Sequence, residues 1–286
     1  MKRSKGQKVF NVFNIFFLLV GCAIFLVPYI IVVSSSITDE ITLIANGYSI
    51  IPKNITFYAY EFMFSKNLPI VQSMLNTLFL VAGSLVLCTL TCILYAYALQ
   101  HSALKGRKFF NLYIVFTMLF SGGLVPSYLV VTYFFDDSLW SLIIPGMMAA
   151  YYTFLLRNYF LTIPVSLAEA ADMDGATDFQ VLFMIYIPLS IPVIVTVAMF
   201  VVVSQWNSYI GPMLYIDSME KFPLQLTLQK LLDNVENMVS VGNTDIIPTE
   251  SLKMAAIVTS TVPILCIYPL MQRFFINGMI LGGVKE

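Results

Sequence analysis

Apolar positions along this chain come in long unbroken runs, at about 10–33, 71–99, 109–134, 139–160, 185–205 and 252–276. Each approaches or exceeds the roughly 20 residues a helix needs to cross a bilayer. Because the runs are continuous and do not alternate at every second residue, they predict spanning helices rather than a barrel. Charged or turn-forming groups close them, among them Lys66-Asn67, Lys105-Gly106-Arg107-Lys108, Asp136-Asp137 and Arg273, where the chain returns to water. The expected fold class is therefore all-α: a polytopic membrane protein with six transmembrane helices in a single domain over residues 1–286.

The first run follows Lys2, Arg3, Lys5 and Lys8, the arrangement of a secretory leader. It is too long for one, and no small-residue cleavage pattern follows, so it reads as a retained first span.

Composition agrees. The chain is 59% hydrophobic and 11% charged, against an apolar share of about 45–50% in soluble domains. Lipid is the expected surrounding, and no nucleic-acid partner is expected. The distribution of charge sets orientation: with the amino terminus inside, ten of the 15 basic residues fall on the inner side, leaving Lys53, Lys66, Lys221, Lys230 and Lys253 outside. Both termini are thus expected in the cytoplasm, and the two longer outer segments, 34–70 and 207–250, are long enough to hold structure of their own. Cys22, Cys88, Cys92 and Cys266 lie in apolar runs with no histidine or carboxylate beside them, so they read as packing residues and no metal is expected.

One inner segment carries more chemistry than the rest. Residues 162–184 hold four acids, and their local signals predict helix, elbow, helix: Ser166 with Glu169 fits a capping box, Gly175 fits a left-handed helix end, and Thr177 with Gln180 fits a second box. Pro188 follows, where the fifth span begins or bends. On local physics alone, the acids either solvate an inner loop or present a coupling element to a partner.

The spacing Glu169-Ala170-Ala171, three residues, Gly175, nine residues, then Ile185-Tyr186-Ile187-Pro188 resembles the EAA loop of ABC importer permeases, with Ile187 where that family usually has Leu. Arg157-Asn158, Ile163-Pro164, Asp174-Gly175-Ala176, Pro192 and Trp206-Asn207-Ser208 resemble the carbohydrate-uptake class related to the maltose permeases. So does the tail, Gln272-Arg273-Phe274-Phe275, Gly278 and Gly282-Gly283-Val284-Lys285, while Phe120-Ser121-Gly122-Gly123-Leu124-Val125-Pro126 resembles a complex-oligosaccharide subgroup.

This resemblance implies a permease subunit in a prokaryotic plasma membrane, working with a second permease as a heterodimer, two ATP-binding subunits and an extracellular solute-binding protein. Glu169, Ala170, Ala171, Asp174, Gly175, Ala176 and Pro188 become the ATPase-coupling residues, with Glu169 pairing a basic group on the ATPase. No Gly-rich loop ending in Gly-Lys-Ser or Gly-Lys-Thr occurs, so the chain is expected to be no enzyme and to hold no cofactor, ATP and Mg belonging to the partner.

Few ionisable groups lie inside the runs, which argues against an ion relay. His101, the sole histidine, falls beyond the second run and reads as interfacial. An oligosaccharide path calls for neutral polar and aromatic groups; Asn76, Tyr95, Tyr97, Ser204, Gln205 and Asn207 are the candidates, with helix–helix packing as the competing role. An importer for a non-sugar solute shares the EAA loop, and the Trp206-Asn207 and carboxy-terminal resemblance favours sugar over it. A membrane-embedded enzyme would require convergent acids or histidines at one depth, and the acids here are scattered through loops.

Overall fold

The computed structural model describes residues 5–65, 69–101, 104–240 and 248–282, with side chains at 10–65, 69–101, 104–234 and 248–269. Lys2, Arg3, Lys66 and Gly283-Val284-Lys285 lie outside the described residues, as do the side chains of Lys5, Lys8 and Gln272-Arg273-Phe274-Phe275. The described chain is helical, its only extended pairing there being an isolated antiparallel bridge between Thr38 and Ile55. It divides into two compact units, Met1–Leu68 with Leu228–Val262, and Pro69–Thr227 with Pro263–Glu286.

In the first unit, α1 (Lys5–Ser36) contains a span, Phe10–Ser36, of mean hydropathy 2.9 in whose most apolar window no residue is buried by the rest of the chain. A helix apolar on every face and left bare suits lipid. Two short helices follow in the next segment, α2 (Glu40–Asn46) and α3 (Tyr58–Met63). The Asp39 carboxylate caps α2 by accepting the Thr42 N–H at 3.3 Å, and Ser36 and Tyr60 share a hydroxyl–hydroxyl bond of 2.9 Å.

Glu40, only 5% exposed, reaches across sequence to the last helix. Its carboxylate accepts the N–H groups of Glu250 and Ser251 at 2.9 Å each, together with the hydroxyls of Thr249 and Ser251. These are the orphan donors at the start of α15 (Thr249–Gly282), where negative charge is also favoured by the helix dipole. Burial pushes the Glu40 pKa up, but the bonds from Glu250, Ser251 and Thr249 outweigh it and hold the carboxyl below its ordinary value.

The second unit is built on α4 (Ile70–Gln100), which packs against α8 (Ala150–Phe160) and α12 (Ile191–Trp206). Cys88, Cys92 and Ala96 of α4, Leu156 and Phe160 of α8, and Val193, Val197 and Val201 of α12 are buried together. Cys88 and Cys92 are packed as expected, whereas Cys22 and Cys266, read as packing residues too, are exposed because they lie on bare helix faces of the chain. In lipid the gain comes from close packing rather than escape from water, so small residues at crossings matter. Gly83 shows why: a Cβ built there would lie 2.8 Å from the Ile143 side chain on α7 (Trp140–Ile143).

Three of the runs are not straight rods. Residues 109–134 form α5 (Arg107–Leu119) and α6 (Leu124–Phe134), bent by 109° at Ser121-Gly122-Gly123, where Gly123 has φ +88°. Only glycine adopts that backbone easily. Residues 139–160 divide into α7 and α8 around Pro145-Gly146, since Pro145 lacks the N–H a continuous helix needs. The fifth run bends by 82°, at Ser190 rather than at Pro188. Among the described residues, three helices, Phe10–Ser36, Ile70–Gln100 and Thr249–Pro269, are each long and apolar enough to cross a membrane, and two of the bent pairs are so together.

The segment 207–240 holds α13 (Ile210–Tyr215), a 3-10 turn (Met219–Lys221) and α14 (Leu224–Ser240). Asp137, at φ +41°, anchors that turn: its carboxylate accepts the N–H groups of Asp217 and Ser218 at 3.0 and 3.2 Å and pairs with Lys221 at 2.7 Å. The Lys221 ammonium, the Ser218 hydroxyl and these amides hold its carboxyl well below the usual range.

Candidate functional site

The elbow at 162–184 begins where α8 ends. Ile163 donates its N–H to Phe160 at 3.2 Å, and Pro164, at φ −58°, starts α9 (Val165–Met173). The helix therefore begins two residues earlier than a Ser166 cap would allow, and no side chain caps it. Ser166 lies inside the first turn, so the expected Ser166–Glu169 box does not form. Glu169 is exposed and makes no hydrogen bond or ion pair among the described residues.

The other end of α9 matches expectation. Gly175 adopts φ +82°, its N–H donates to Asp172 O at 3.0 Å, and the Ala176 N–H donates to Ala171 O at 3.0 Å. These two bonds are a Schellman motif, with Ala171 and Ala176 as its apolar pair. A Cβ on Gly175 would meet nothing within 4 Å, so backbone conformation alone makes the position selective for glycine.

Thr177 then caps α10 (Asp178–Val181) in the expected reciprocal box: Gln180 N–H to the Thr177 hydroxyl at 3.4 Å, and Thr177 N–H to the Gln180 side chain at 2.8 Å. A π turn over Leu182–Tyr186 leads into α11 (Ile187–Leu189), which contains Pro188. A proline cannot donate to the carbonyl four residues back, and the wider π spacing accommodates its ring. The Ser190 N–H donates to Tyr186 O and Ile187 O at 3.0 Å each, closing the bend before α12.

The elbow is anchored on one face and bare on the other. Val181, Leu182 and Tyr186 enter the buried cluster of α4, α8 and α12, and Ala168, Ala171 and Ala176 pack against it. The opposite face presents Glu169, Ala170 and Met173, the last 89% exposed, and Leu167 and Asp174 are exposed at its edges. A bare methionine beside unpaired acids is an unusual surface for a solvated loop and suits an adaptable protein contact. Sequence reasoning passed over Met173; its signal is the i,i+4 spacing from Glu169, which places both on one face.

A second feature lies farther along the same helices. A cavity of about 340 Å³ is lined by Ser84, Cys88, Gly146, Ala149, Tyr151, Tyr152, Val201, Ser204 and Gln205. Its lining is neutral, with hydroxyl and amide groups beside two tyrosines, and Tyr152 stacks on Phe200 at 6.1 Å. Of the residues chosen from sequence for the path, Ser204 and Gln205 line it.

The other four sit elsewhere. Asn76 is buried, and its amide donates to Glu220 O at 2.7 Å and Phe222 O at 3.2 Å, tying the 3-10 turn to α4. Tyr97 lies against His101 and Tyr186 with ring centroids 5.9 and 5.2 Å apart, next to the elbow. Tyr95 is exposed on α4, and Asn207 ends α12 with its amide on Val203 O at 2.9 Å. Trp206 is fully buried rather than set at a lipid interface. Ser84, Tyr151 and Tyr152 are cavity residues that hydropathy alone does not single out.

Among the described residues no cluster of His, Cys, Asp and Glu has a metal-binding arrangement.

Residues 104–281 match the family model described as binding-protein-dependent transport system inner membrane component. The chain is 34% identical to the polygalacturonan/rhamnogalacturonan transport system permease protein YtcP of Bacillus subtilis, over 98% of this chain and 99% of that protein. It is 27% identical to the arabinooligosaccharides transport system permease protein AraQ of Halalkalibacterium halodurans, over 90% of each. A chain in the crystal structure of a bacterial ABC transporter involved in the import of the acidic polysaccharide alginate superposes with a TM-score of 0.84, at 31% identity over 96% of this chain and 99% of that one.

Proposed function

The chain belongs to the family of binding-protein-dependent transport system inner membrane components, and from that premise we propose that it is the permease subunit of an ATP-driven importer for oligosaccharides, coupled to its ATPase through the elbow at residues 162–184. It is a transport subunit in a cell membrane. Its route is completed by a second permease, and both termini face the cytoplasm. ATP and Mg bind to two separate ATPase subunits, and an extracellular binding protein delivers the saccharide to the outer face.

The observation that carries the coupling role is the two-sided elbow. Its alanine face rests on the core, so force applied to it passes into α4, α8 and α12. Its outer face keeps Glu169 unpaired and Met173 bare, ready for a basic and an apolar group on the ATPase. Schellman and capping-box bonds stiffen both sides of Gly175, so the two short helices move as one lever. Ala170, exposed beside Glu169, keeps the approach close by being small.

The cavity supports the saccharide reading. Neutral hydroxyl and amide groups match sugar hydroxyls without the desolvation that buried charge incurs, and the tyrosine rings offer faces on which sugar rings stack. Ser204 and Gln205 are the residues of this chain proposed to meet substrate.

The test is uptake and saccharide-stimulated ATP hydrolysis by the reconstituted complex carrying Glu169→Ala with Gly175→Pro. Loss of both activities with normal membrane insertion is expected. Transport at the unmodified rate would remove the coupling assignment.

A further inference from the structure

A second pocket near the elbow has the opposite chemistry. It is a cavity of about 620 Å³ lined by Leu104, Gly106, Arg107, Lys108, Asn111 and Arg157, at the junction of α4, α5 and α8. Arg107 and Arg157 both donate from Nε to the Leu99 carbonyl, at 2.8 and 3.3 Å. The two Nε atoms are therefore within about 6 Å of each other. That carbonyl belongs to the last turn of α4, where cations are favoured, but one partial negative charge does not balance two guanidinium groups. Among the described residues no ion pair reaches Arg107, Lys108 or Arg157.

We propose that Arg107, Lys108 and Arg157 form a binding site for a phosphate group, supplied either as the headgroup phosphodiester of an anionic lipid or as free phosphate. The outward N–H groups of two neighbouring guanidiniums form the planar forks that match phosphate oxygens, and Lys108 adds a mobile third charge. An anion there relieves the repulsion between Arg107 and Arg157, fixing the end of α4 against the start of α5 and the end of α8. The same α4 end borders the elbow, because Leu104 also lines the cavity formed by Tyr97, His101, Asp178 and Phe179. Occupancy thus stiffens the base on which the coupling lever turns. The lipid source rests on the membrane orientation proposed above, in which this turn faces the cytoplasmic leaflet; the anion site itself does not.

The test uses the intact importer complex in neutral detergent. Native mass spectrometry compares retention of phosphatidylglycerol with phosphatidylcholine, and calorimetry titrates inorganic phosphate into delipidated complex. Retention of phosphatidylglycerol over phosphatidylcholine, reduced about tenfold by Arg157→Gln and by Lys108→Gln, is expected from losing one charge-assisted contact. Arg157→Lys restores part of it. Phosphate binding without lipid preference assigns the free anion as the source and counts against the orientation, not the site. Lys108→Gln breaks no internal hydrogen bond, so its result stands even if the arginine variants fold poorly. Equal retention of both lipids with no phosphate binding, or retention undiminished in Lys108→Gln and in every folded arginine variant, overturns the proposal.

Discussion

Glu40 and Glu169 are the same residue type, each near the start of a helix, and the chain uses them in opposite ways. Glu40 is buried and gives its carboxylate to two N–H groups and two hydroxyls at the start of α15. Glu169 is exposed on the first turns of α9 and gives its carboxylate to nothing within the described chain. Asp137 belongs with Glu40, bound to two amides and Lys221; Asp174 lies on the elbow with Glu169. The carboxylates of Glu40 and Asp137 hold the fold together, and those of Glu169 and Asp174 on the elbow are bonded to nothing within the described chain. Structural and functional acids are told apart here by where their lone pairs go, not by residue type or by loop.

The sharpest way to break this comparison is Gly175→Pro. Proline cannot adopt φ +82°, so the elbow loses its shape. Uptake should fall by roughly 100-fold or more while insertion persists, because the core residues beneath are unchanged. Near-normal uptake would mean that the elbow does not transmit force.

Glu40→Ala should act on stability instead. Leaving the N–H groups at the start of α15 without their acceptor costs about 3 kcal/mol, read as a lower unfolding temperature. The depressed pKa of Glu40 gives this contribution a pH sign: it is fully present above the ordinary carboxylate value of 4.5 and fades as pH falls through the lower folded-state value. The complex should therefore lose stability on acidification below that value, and Glu40→Gln should flatten the response. An unchanged acid response in Glu40→Gln would detach the effect from this carboxylate.

Glu169→Ala should show the reverse pattern. Transport and ATPase association drop roughly tenfold, from the loss of one charge-assisted contact. Unfolding temperature stays within about 1 °C, as for a surface change. A large loss of stability would place Glu169 with the structural acids. Thr177→Ala is the mildest change: removing the capping box costs about 1 kcal/mol of local helix stability, visible as faster amide exchange in Asp178–Val181 before any loss of uptake.

The comparison also shows what the sequence makes legible. Gly175 and the Thr177–Gln180 box are local devices whose partners lie within a few residues, and both appear as expected. The Ser166 box fails because Pro164, two residues earlier, fixes the backbone first and starts the helix before Ser166 can cap it. Hydropathy finds the apolar stretches but is blind to bends, so Gly123, Pro145 and Ser190 interrupt three runs that read as continuous. Asn76 reads as a polar residue facing a path because the carbonyls that claim it, on Glu220 and Phe222, are more than 140 positions away. Met173 hides for another reason: composition cannot say that a methionine stands uncovered.

The central claim is that the face bearing Glu169 and Met173 docks the ATPase. The most direct measurement is site-specific disulfide or bifunctional cross-linking from Met173→Cys, in a chain with Cys22, Cys88, Cys92 and Cys266 replaced by serine or alanine, within the assembled importer in membranes. A cross-link to the ATP-binding subunit is predicted, its yield changing when nucleotide and saccharide are added, with none from a cysteine placed at Lys221 on the outer turn. A cysteine at 173 that stays freely reactive to a soluble thiol reagent and never joins the ATPase in any nucleotide state would contradict it.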